Sequence, residues 1–291
     1  MVNRRNFLKS SAAVVVGGLV ANQLIISCTP AAPKKKVGLQ LYSLRDAMKE
    51  DVKGTLKKVA EMGYSTVETA GYNNGLIYNM APGEFKKIVE DLGMKVTSAH
   101  VVQAFTKEKE AEIMEWWKKA CGAHSELGVK YLVQAFMPVN EQTTLDEIKM
   151  YCDYYNNVGY LTAAAGGIGF GYHNHDFEFK HKVGDKMIYD FMLENTSPNH
   201  VFFEMDVYWI NKGGQSAAEY ITKYGRFPVL HIKDEKEIGV GGYMDFKPIF
   251  DAAYAKGLKE YYVEVEQYTN NDPFASVKQS FDYLAKAEYV K

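Results

Sequence analysis

The chain has 291 residues, and 34 basic against 36 acidic side chains give it a formal net charge of −2. This balance gives no general attraction to nucleic acid or anionic membranes, and no run of Lys and Arg interleaved with aromatic residues supplies a local one. The length suits one large domain or two small ones, and the apolar content is sufficient for a substantial core. We therefore expect a globular protein without a nucleic-acid partner.

The N-terminal segment resembles a bacterial export signal. Arg4 and Arg5 precede an apolar run rich in small residues, as in twin-arginine signals. That run ends at "IISC", which resembles a lipobox, so residues 1–27 are predicted to be the signal and Cys28 to carry lipid. Residues 28–36 are typical of a flexible tether. We expect an exported protein of the periplasm or envelope, whose membrane contact is this lipid; an ordinary signal peptide and an uncleaved anchor are the alternatives.

Beyond the tether, short strand patterns alternate with helix patterns that often end at a glycine, as at Gly63 and Gly93. The predicted strands cover residues 36–43, 64–70, 95–101, 129–136, 167–175, 201–207, 227–234 and 261–267. Eight strands at a spacing of about thirty residues predict an α/β fold, a (β/α)₈ TIM barrel that forms a single domain over residues 37–291. A doubly wound sheet, the alternative, would more often carry a Gly-rich phosphate loop after its first strand.

Polar side chains stand at the ends of nearly all these strands, and a barrel places its chemistry at the C-terminal strand ends. They are Gln40, Tyr42, Glu68, His100, Gln134, His173, His175, Asp206, His231, Lys233, Glu264 and Glu266. Residues two apart on a strand share a face, so His173 and His175 are predicted to point together, as are Glu264 and Glu266. Stability alone does not explain why so many apolar strands end in residues of these types, so they indicate a functional site.

These strand ends predict a metal site. Asp206, His231 and a glutamate of the last strand come from three consecutive strands, so their side chains can converge with a histidine of "HNH" (173–175). Buried carboxylates and imidazoles are unfavourable unless they are paired or coordinated. Four mixed nitrogen and oxygen ligands suit Zn²⁺, Mn²⁺, Co²⁺ or Fe²⁺, and Mg²⁺ with added waters. The alternative is that each group is an ordinary, satisfied polar residue.

Other candidate ligands are expected to have no functional role. Cys121 and Cys152 lie in separate helix patterns and are predicted to be buried and reduced. His124, His181 and His200 lie in helix or loop contexts and are predicted to be solvated.

Six motifs resemble those of the xylose isomerase-like TIM barrels, the sugar phosphate isomerase/epimerase group that is related to inosose dehydratases and ketose 3-epimerases. They are "GLQLYSLRD", "GYSTVE", "YHNHDFEF", "EMDVYW", "HIKD" and "YVEVEQ", and the resemblance covers about residues 36–290. It implies one divalent ion (Mn²⁺, Zn²⁺, Co²⁺ or Mg²⁺) held by residues of strands five to eight. The implied ligands are His173, Asp206, His231 and Glu266, with His175 and Glu264 as alternatives for the first and last. His173 stands where many relatives have a glutamate.

The resemblance implies an enzyme that removes a proton beside a sugar carbonyl and passes through an enediolate. A phosphorylated substrate is a poor match for an exported protein, so a non-phosphorylated sugar or keto-sugar is expected. The implied catalytic residues are Lys233, Glu264, His175 and His100. The implied substrate-binding residues are Gln40, Tyr42, Glu68, Gln134 and Trp209. A lyase or dehydratase acting on a 3-keto glycoside or an inosose is one alternative, and a non-catalytic carbohydrate-binding lipoprotein is another. A DNA-repair nuclease of this fold would need more metal ligands and a basic groove.

Overall fold

The computed structural model describes residues 35–291, in which eight parallel strands close into a barrel with helices between them. The predicted (β/α)₈ barrel is therefore confirmed. The predicted export signal, Cys28 and the tether up to residue 34 lie outside the described residues and stay predictions. Among the described residues, no helix has both the length and the apolar character needed to cross a membrane.

All eight predicted strands are present, most of them shorter than the apolar pattern indicates. Numbered along the chain, they are β1 Gly38–Gln40, β2 Thr66–Thr69, β3 Lys95–Val101, β4 Tyr131–Gln134, β5 Gly169–His173, β6 Val201–Asp206, β7 Val229–Ile232 and β8 Glu260–Val263. Each strand pairs with the next along the chain, and β8 closes the barrel on β1 with Tyr262 opposite Gly38. Because β8 ends at Val263, Glu264 and Glu266 lie beyond its last residue.

The helices form the outer layer. They are α1 Arg45–Glu50, α2 Val52–Met62, α3 Pro82–Asp91, α4 Glu110–Leu127, α5 Leu145–Gly166, α6 Phe177–Lys180, α7 Ile188–Asn195, α8 Val207–Lys212, α9 Ala217–Tyr224, α10 Phe246–Ala255 and α11 Pro273–Lys286. Two 3₁₀ turns cover Leu41–Leu44 and Lys107–Lys109. Two small hairpins, Tyr72–Asn73 with Leu76–Ile77 and Lys182–Val183 with Lys186–Met187, were not predicted, because strands of two residues carry no periodic signal.

Local signals in the sequence explain where the helices begin and end. Thr144 and Glu147 form a capping box at the start of α5, each side chain accepting from the other's backbone N–H. Gly63 ends α2 with φ 107°, a left-handed conformation in which a side chain would be strained.

The alternation along β6 shows how the barrel separates core from site. Val201, Phe203 and Met205 are buried in the hydrophobic core, whereas Glu204 and Asp206, the residues between and after them, meet histidines from other strands. Successive side chains of a strand point to opposite faces, so one strand supplies both the packed core and the polar site.

The packing between barrel and helices also corrects the expectation for one histidine. His124 is fully buried rather than solvated, and its Nδ1 donates to the carbonyl oxygen of Ala120 at 2.7 Å. Burial lowers the pKa of His124 to about 4, so the ring is neutral. Cys121 and Cys152 are buried and unpaired with each other, as predicted.

Candidate active site

Polar side chains converge inside the C-terminal end of the barrel, where an apolar interior would otherwise be expected. Those that are at least nine-tenths buried are Gln40, Glu68, His100, His173, Glu204, Asp206, His231, Lys233 and Glu264. Every strand from β5 to β8, or the segment that directly follows it, contributes to this group. Burying so many charged groups is unfavourable without partners or a bound ion, so the cluster points to a function.

Four of these side chains form what we call the ligand set: His173, Asp206, His231 and Glu264. One nitrogen or oxygen atom from each lies within 4.8 Å of the others. His173 Nε2 is 4.0 Å from Asp206 Oδ2, and His231 Nδ1 is 3.3 Å from Glu264 Oε2. Two imidazoles and two carboxylates are donors that divalent transition metals favour.

Asp206 shows that the ligand set suits a cation. Its Oδ1 accepts from the backbone N–H groups of Tyr208 and Trp209, both at 2.9 Å, and so caps α8. Its Oδ2 is buried and has no hydrogen-bond partner. A buried carboxylate oxygen without a partner is costly, and a bound cation would satisfy it. The residues present therefore fit a divalent ion.

Glu68 and Glu204 lie next to the ligand set. Glu68 Oε2 is 2.5 Å from His231 Nε2, and Glu204 Oε2 is 3.1 Å from His173 Nδ1. His100 touches both carboxylates, because its Nε2 is 2.5 Å from Glu204 Oε2 and 3.4 Å from Glu68 Oε2. The three imidazole rings are packed together, with His100 stacked on His231 at 4.8 Å between centroids.

The charge balance of the cluster sets the protonation of its members. Burial, together with the neighbouring His231 and His100, holds the pKa of His173 well below its ordinary value. Burial alone would also lower the pKa of His231, but Glu204, Glu68 and Glu264 raise it well above its ordinary value. Burial raises the pKa of Asp206 to about 7, against the attraction of Lys233. A cation would favour the ionised forms of these carboxylates.

Lys233 stands beside the ligand set and is surrounded by carboxylates. Its Nζ is 2.9 Å from Glu266 Oε2, 3.1 Å from Glu264 Oε2 and 3.9 Å from Asp206 Oδ2. Burial would lower the pKa of Lys233, but these carboxylates raise it above its ordinary value. The side chain is therefore an ammonium cation at neutral pH, and it also lies 4.8 Å from the ring centroid of Trp209.

A cavity of about 370 Å³ opens onto this cluster, a size that suits a small ligand. Its polar lining includes His100, His173, His175, Glu264 and Glu266, and its aromatic lining includes Tyr42, Tyr72 and Phe136. His175 stacks on Phe177 with ring centroids 5.1 Å apart, and its Nδ1 is buried without a partner. Burial lowers the pKa of His175 to about 4, so this imidazole is neutral.

The structure brings most of the predicted site residues together. His173, Asp206 and His231 meet as expected, and Glu264 completes the set, whereas the half-buried Glu266 contacts Lys233 instead. Of the predicted substrate-binding residues, Tyr42 lines the cavity.

The other predicted substrate-binding residues make contacts within the protein, and their role toward a substrate stays a prediction. Gln40 donates to Glu68 at 2.7 Å, and Glu68 is fully buried among Gln40, Ser98 and the histidines. The amide of Gln134 is engaged with the backbone of Gln103 and Phe136, and the ring of Trp209 lies beside Lys233.

Glu204 was not predicted from the sequence. Its signal is the spacing in "EMD": Glu204 precedes Asp206 by two residues on the same strand, so both side chains share a face.

Comparison with known proteins agrees with the barrel fold described above. The sequence profile of the xylose isomerase-like TIM barrel family matches residues 56–287. A sugar phosphate isomerase/epimerase from Parabacteroides distasonis ATCC 8503 is 43% identical, with a TM-score of 0.82 over 88% of this chain and 100% of its own. A second structure of that description from the same organism is 38% identical, with a TM-score of 0.83 over 90% and 98% of the two chains.

More distant structures share the fold. The 3-keto-D-glucoside 4-epimerase from E. coli is 22% identical, with a TM-score of 0.68 over 87% of this chain and 100% of its own. No curated protein matches the chain.

Proposed function

The chain belongs to the xylose isomerase-like TIM barrel family, and on that premise we propose that it is a sugar isomerase or epimerase. Its reaction is the removal of a proton from a carbon beside a carbonyl group, followed by return of a proton at a different position or on the opposite face. The observation that carries this proposal is the ligand set: its members His173 and Glu264 line a cavity together with the neutral imidazole of His175. The buried ammonium of Lys233 contacts Glu264 behind that wall.

His173, Asp206, His231 and Glu264 would hold one divalent ion, as the unpartnered Oδ2 of Asp206 supports. When bound, such an ion supplies Lewis-acid polarisation of a carbonyl oxygen. The two histidines and two carboxylates would contribute a net charge of −2, which favours a divalent cation over a neutral occupant. Mn²⁺, Zn²⁺, Co²⁺ and Mg²⁺ remain the candidates.

Lys233 acts as an electrostatic stabiliser and proton donor rather than as a base. Its pKa is held above the ordinary value by Glu264, Asp206 and Glu266, against burial, so it carries its proton before the substrate binds. A fixed ammonium can donate a hydrogen bond to the oxygen that becomes negative as the proton leaves the carbon. It can then donate its own proton to the substrate, while His175 keeps the proton that it removed. Both groups recover their starting protonation by exchange with solvent before the next turnover.

His175 is the best-placed proton acceptor. It lines the cavity, and its ring is neutral because burial lowers its pKa to about 4. His173, by contrast, directs Nδ1 to Glu204 and belongs to the ligand set, so it has no free nitrogen for proton transfer. His100 lines the same cavity, but its Nε2 is held by Glu204.

The cavity favours a neutral sugar over a phosphorylated one. Glu264 and Glu266 stand in its wall, and their negative charge would repel a phosphate group. Tyr42, Tyr72 and Phe136 offer aromatic surface, on which the apolar face of a sugar ring can pack.

The direct test is solvent exchange. The purified protein, loaded in separate samples with Mn²⁺, Zn²⁺, Co²⁺ or Mg²⁺, is incubated in D₂O with free ketoses and with 3-keto-glucosides, and the products are analysed by NMR and mass spectrometry. The proposal predicts an isomer or epimer with deuterium at the carbon beside the carbonyl. If no sugar gains deuterium or changes identity with any of the four metals, the proposal fails.

Elimination is a second candidate, and one observation favours it. Epimerisation needs a proton-transfer group on each face of the carbon, but His173 stands where many relatives have a carboxylate and is engaged by Glu204. One base, His175, and one acid, Lys233, are enough to remove a proton and protonate a leaving β-substituent. In the same assay, a 3-keto-glucoside would then release its aglycone and yield an unsaturated ketone.

A further inference from the structure

Each histidine of the ligand set lies between that set and a buried carboxylate. His231 directs Nε2 to Glu68 at 2.5 Å and Nδ1 to Glu264 at 3.3 Å. His173 directs Nδ1 to Glu204 at 3.1 Å, while its Nε2 faces Asp206 at 4.0 Å. In each ring, therefore, one nitrogen faces a buried carboxylate outside the ligand set, and the other nitrogen faces a carboxylate of the ligand set.

We propose that Glu68 and Glu204 are positioning residues for the metal centre. A neutral imidazole has one N–H donor and one lone pair, and the nitrogen that donates decides which nitrogen can bind a metal. Glu68 would hold the N–H of His231 and Glu204 that of His173, so that the opposite nitrogen of each ring presents its lone pair to the ion. A carboxylate behind a metal-binding histidine also makes that nitrogen more basic. The proposal rests on the divalent ion of the proposed function.

The fold holds Glu68 through both oxygens and Glu204 through Oε2, whereas Glu204 Oε1 is buried without a hydrogen-bond partner. Glu68 accepts from Gln40 Nε2 at 2.7 Å and from Ser98 Oγ at 2.5 Å, so its two oxygens are held by neighbouring strands as well as by His231. Glu204 shares its strand face with Asp206, two residues further along β6. His100 links the pair, since its Nε2 lies 2.5 Å from Glu204 Oε2 and 3.4 Å from Glu68 Oε2. Neither carboxylate needs to move to support its histidine.

The contacts around Glu204 argue against a second ion next to the ligand set. His100, His173, Glu204 and His231 are also close enough to form a four-ligand site. Three imidazole nitrogens already surround Glu204 Oε2, at 2.5, 3.1 and 3.3 Å. If both sites were filled, His173 and His231 would each have to present lone pairs from both nitrogens, which requires the loss of both N–H protons. We infer that the two groups do not each bind an ion, and the proposal assigns the single ion to the ligand set.

The experiment compares metal binding by the full chain and by two variants, Glu68→Gln and Glu204→Gln. Glutamine keeps the volume of the side chain but removes its charge, so the barrel should still fold, which circular dichroism checks. Co²⁺ affinity and stoichiometry are measured by competition with a chelating dye, and the visible spectrum of bound Co²⁺ reports ligand geometry. Glu237→Gln is the matched control, because Glu237 is also buried and contacts Ser276 and Thr269 rather than the ligand set. Burial would raise the pKa of Glu237, but hydrogen bonds from Ser276 and Thr269 lower it to about 2, so this substitution also removes a charge.

One Co²⁺ per chain is expected in every case. Its affinity should fall by about 10- to 100-fold in each of the two variants, with an altered spectrum, and remain at the wild-type value in the control. Because the variants act on different rings, either one tests the proposal if the other fails to fold. Wild-type affinity in the variants would overturn it, while leaving the proposed function intact. Two ions in the wild type, with one lost in Glu204→Gln, would also overturn it. If the wild type binds no divalent ion, the metal requirement of the proposed function fails as well.

Discussion

The Nζ atom of Lys233 lies 2.9 Å from Oε2 of Glu266 at the wall of the cavity. The two partners differ in exposure: the Lys233 side chain is 3% exposed and that of Glu266 is 31% exposed. Lys233 does not line the cavity itself, and it contacts two residues that do, Glu264 and Glu266. This ion pair connects the open cavity to the buried ligand set, because Lys233 also contacts Glu264 and Asp206.

Replacing Lys233 should separate chemistry from metal binding. Lys233→Met removes the ammonium but keeps a long apolar side chain beside Trp209, so the fold should survive. Turnover of the best sugar substrate should fall by about 10²- to 10⁴-fold, the usual effect of losing an acid/base group. Metal affinity should not decrease, because Glu264 and Asp206 lose a competing cation.

The matched control is Lys247→Met, since Lys247 forms an exposed ion pair with Asp251 on α10. It should leave turnover and metal affinity unchanged. A Lys233→Met enzyme with nearly full turnover would assign this lysine to structure, and proton return would then fall to another group.

Asp206→Asn should remove the ion while preserving the local structure. Asparagine can still accept the backbone N–H groups of Tyr208 and Trp209 through its side-chain oxygen, so the cap of α8 remains. It cannot supply a carboxylate, so divalent-metal affinity measured by dye competition should fall by at least about 100-fold, with activity lost in parallel. Asp245→Asn, which changes an exposed capping aspartate of α10, is the control. Unchanged metal content in Asp206→Asn would place the ion elsewhere.

Much of the barrel and part of the site could be predicted from the sequence. Strand and helix patterns alternate clearly, and parallel strands bring their C-terminal ends together, so the meeting of His173, Asp206 and His231 follows from topology. The choice of Glu264 did not follow, because β8 ends at Val263 and strand periodicity no longer sets the direction of the residues beyond it. The alternation of side chains along a strand also does not give the distance between Glu204 on β6 and His100 on β3.

His124 shows a signal that was present but not used. It lies seven residues after Trp117 and three after Cys121, on the face of α4 that packs into the core. That spacing is typical of a buried helix face, so periodicity could have predicted its burial. Its neutral ring and its bond to Ala120 could not be read from the sequence.

Export and lipidation remain sequence predictions, and Cys28 provides their test. In the producing bacterium, the mature protein should fractionate with the envelope and carry lipid on Cys28, as mass spectrometry of the N-terminal peptide would show. Cys28→Ser should release a soluble form or leave the signal uncleaved. Wild-type protein that is lipid-free in the cytoplasm would contradict the prediction.

Glu178 should make stability depend on pH. It is fully buried, and its oxygens accept from Tyr172 Oη at 2.5 Å and from the His175 backbone N–H at 2.9 Å. Burial raises the pKa of Glu178 to about 8, against an ordinary value of 4.5. The folded protein therefore keeps this proton at neutral pH, whereas the unfolded chain releases it. Stability from Glu178 is complete below about pH 4.5 and is lost as the pH rises to about 8.

Glu178→Gln removes that dependence, because glutamine stays neutral and can still accept from His175 and donate to Tyr172. The variant should gain stability relative to the wild type as the pH increases, by on the order of 5 kcal/mol at pH values above the folded pKa. Urea unfolding at a series of pH values, with a chelator present in both samples, measures the difference and cancels the titration of the ligand set. A difference that stays constant from acid to alkaline pH would mean that Glu178 is ionised in the folded protein.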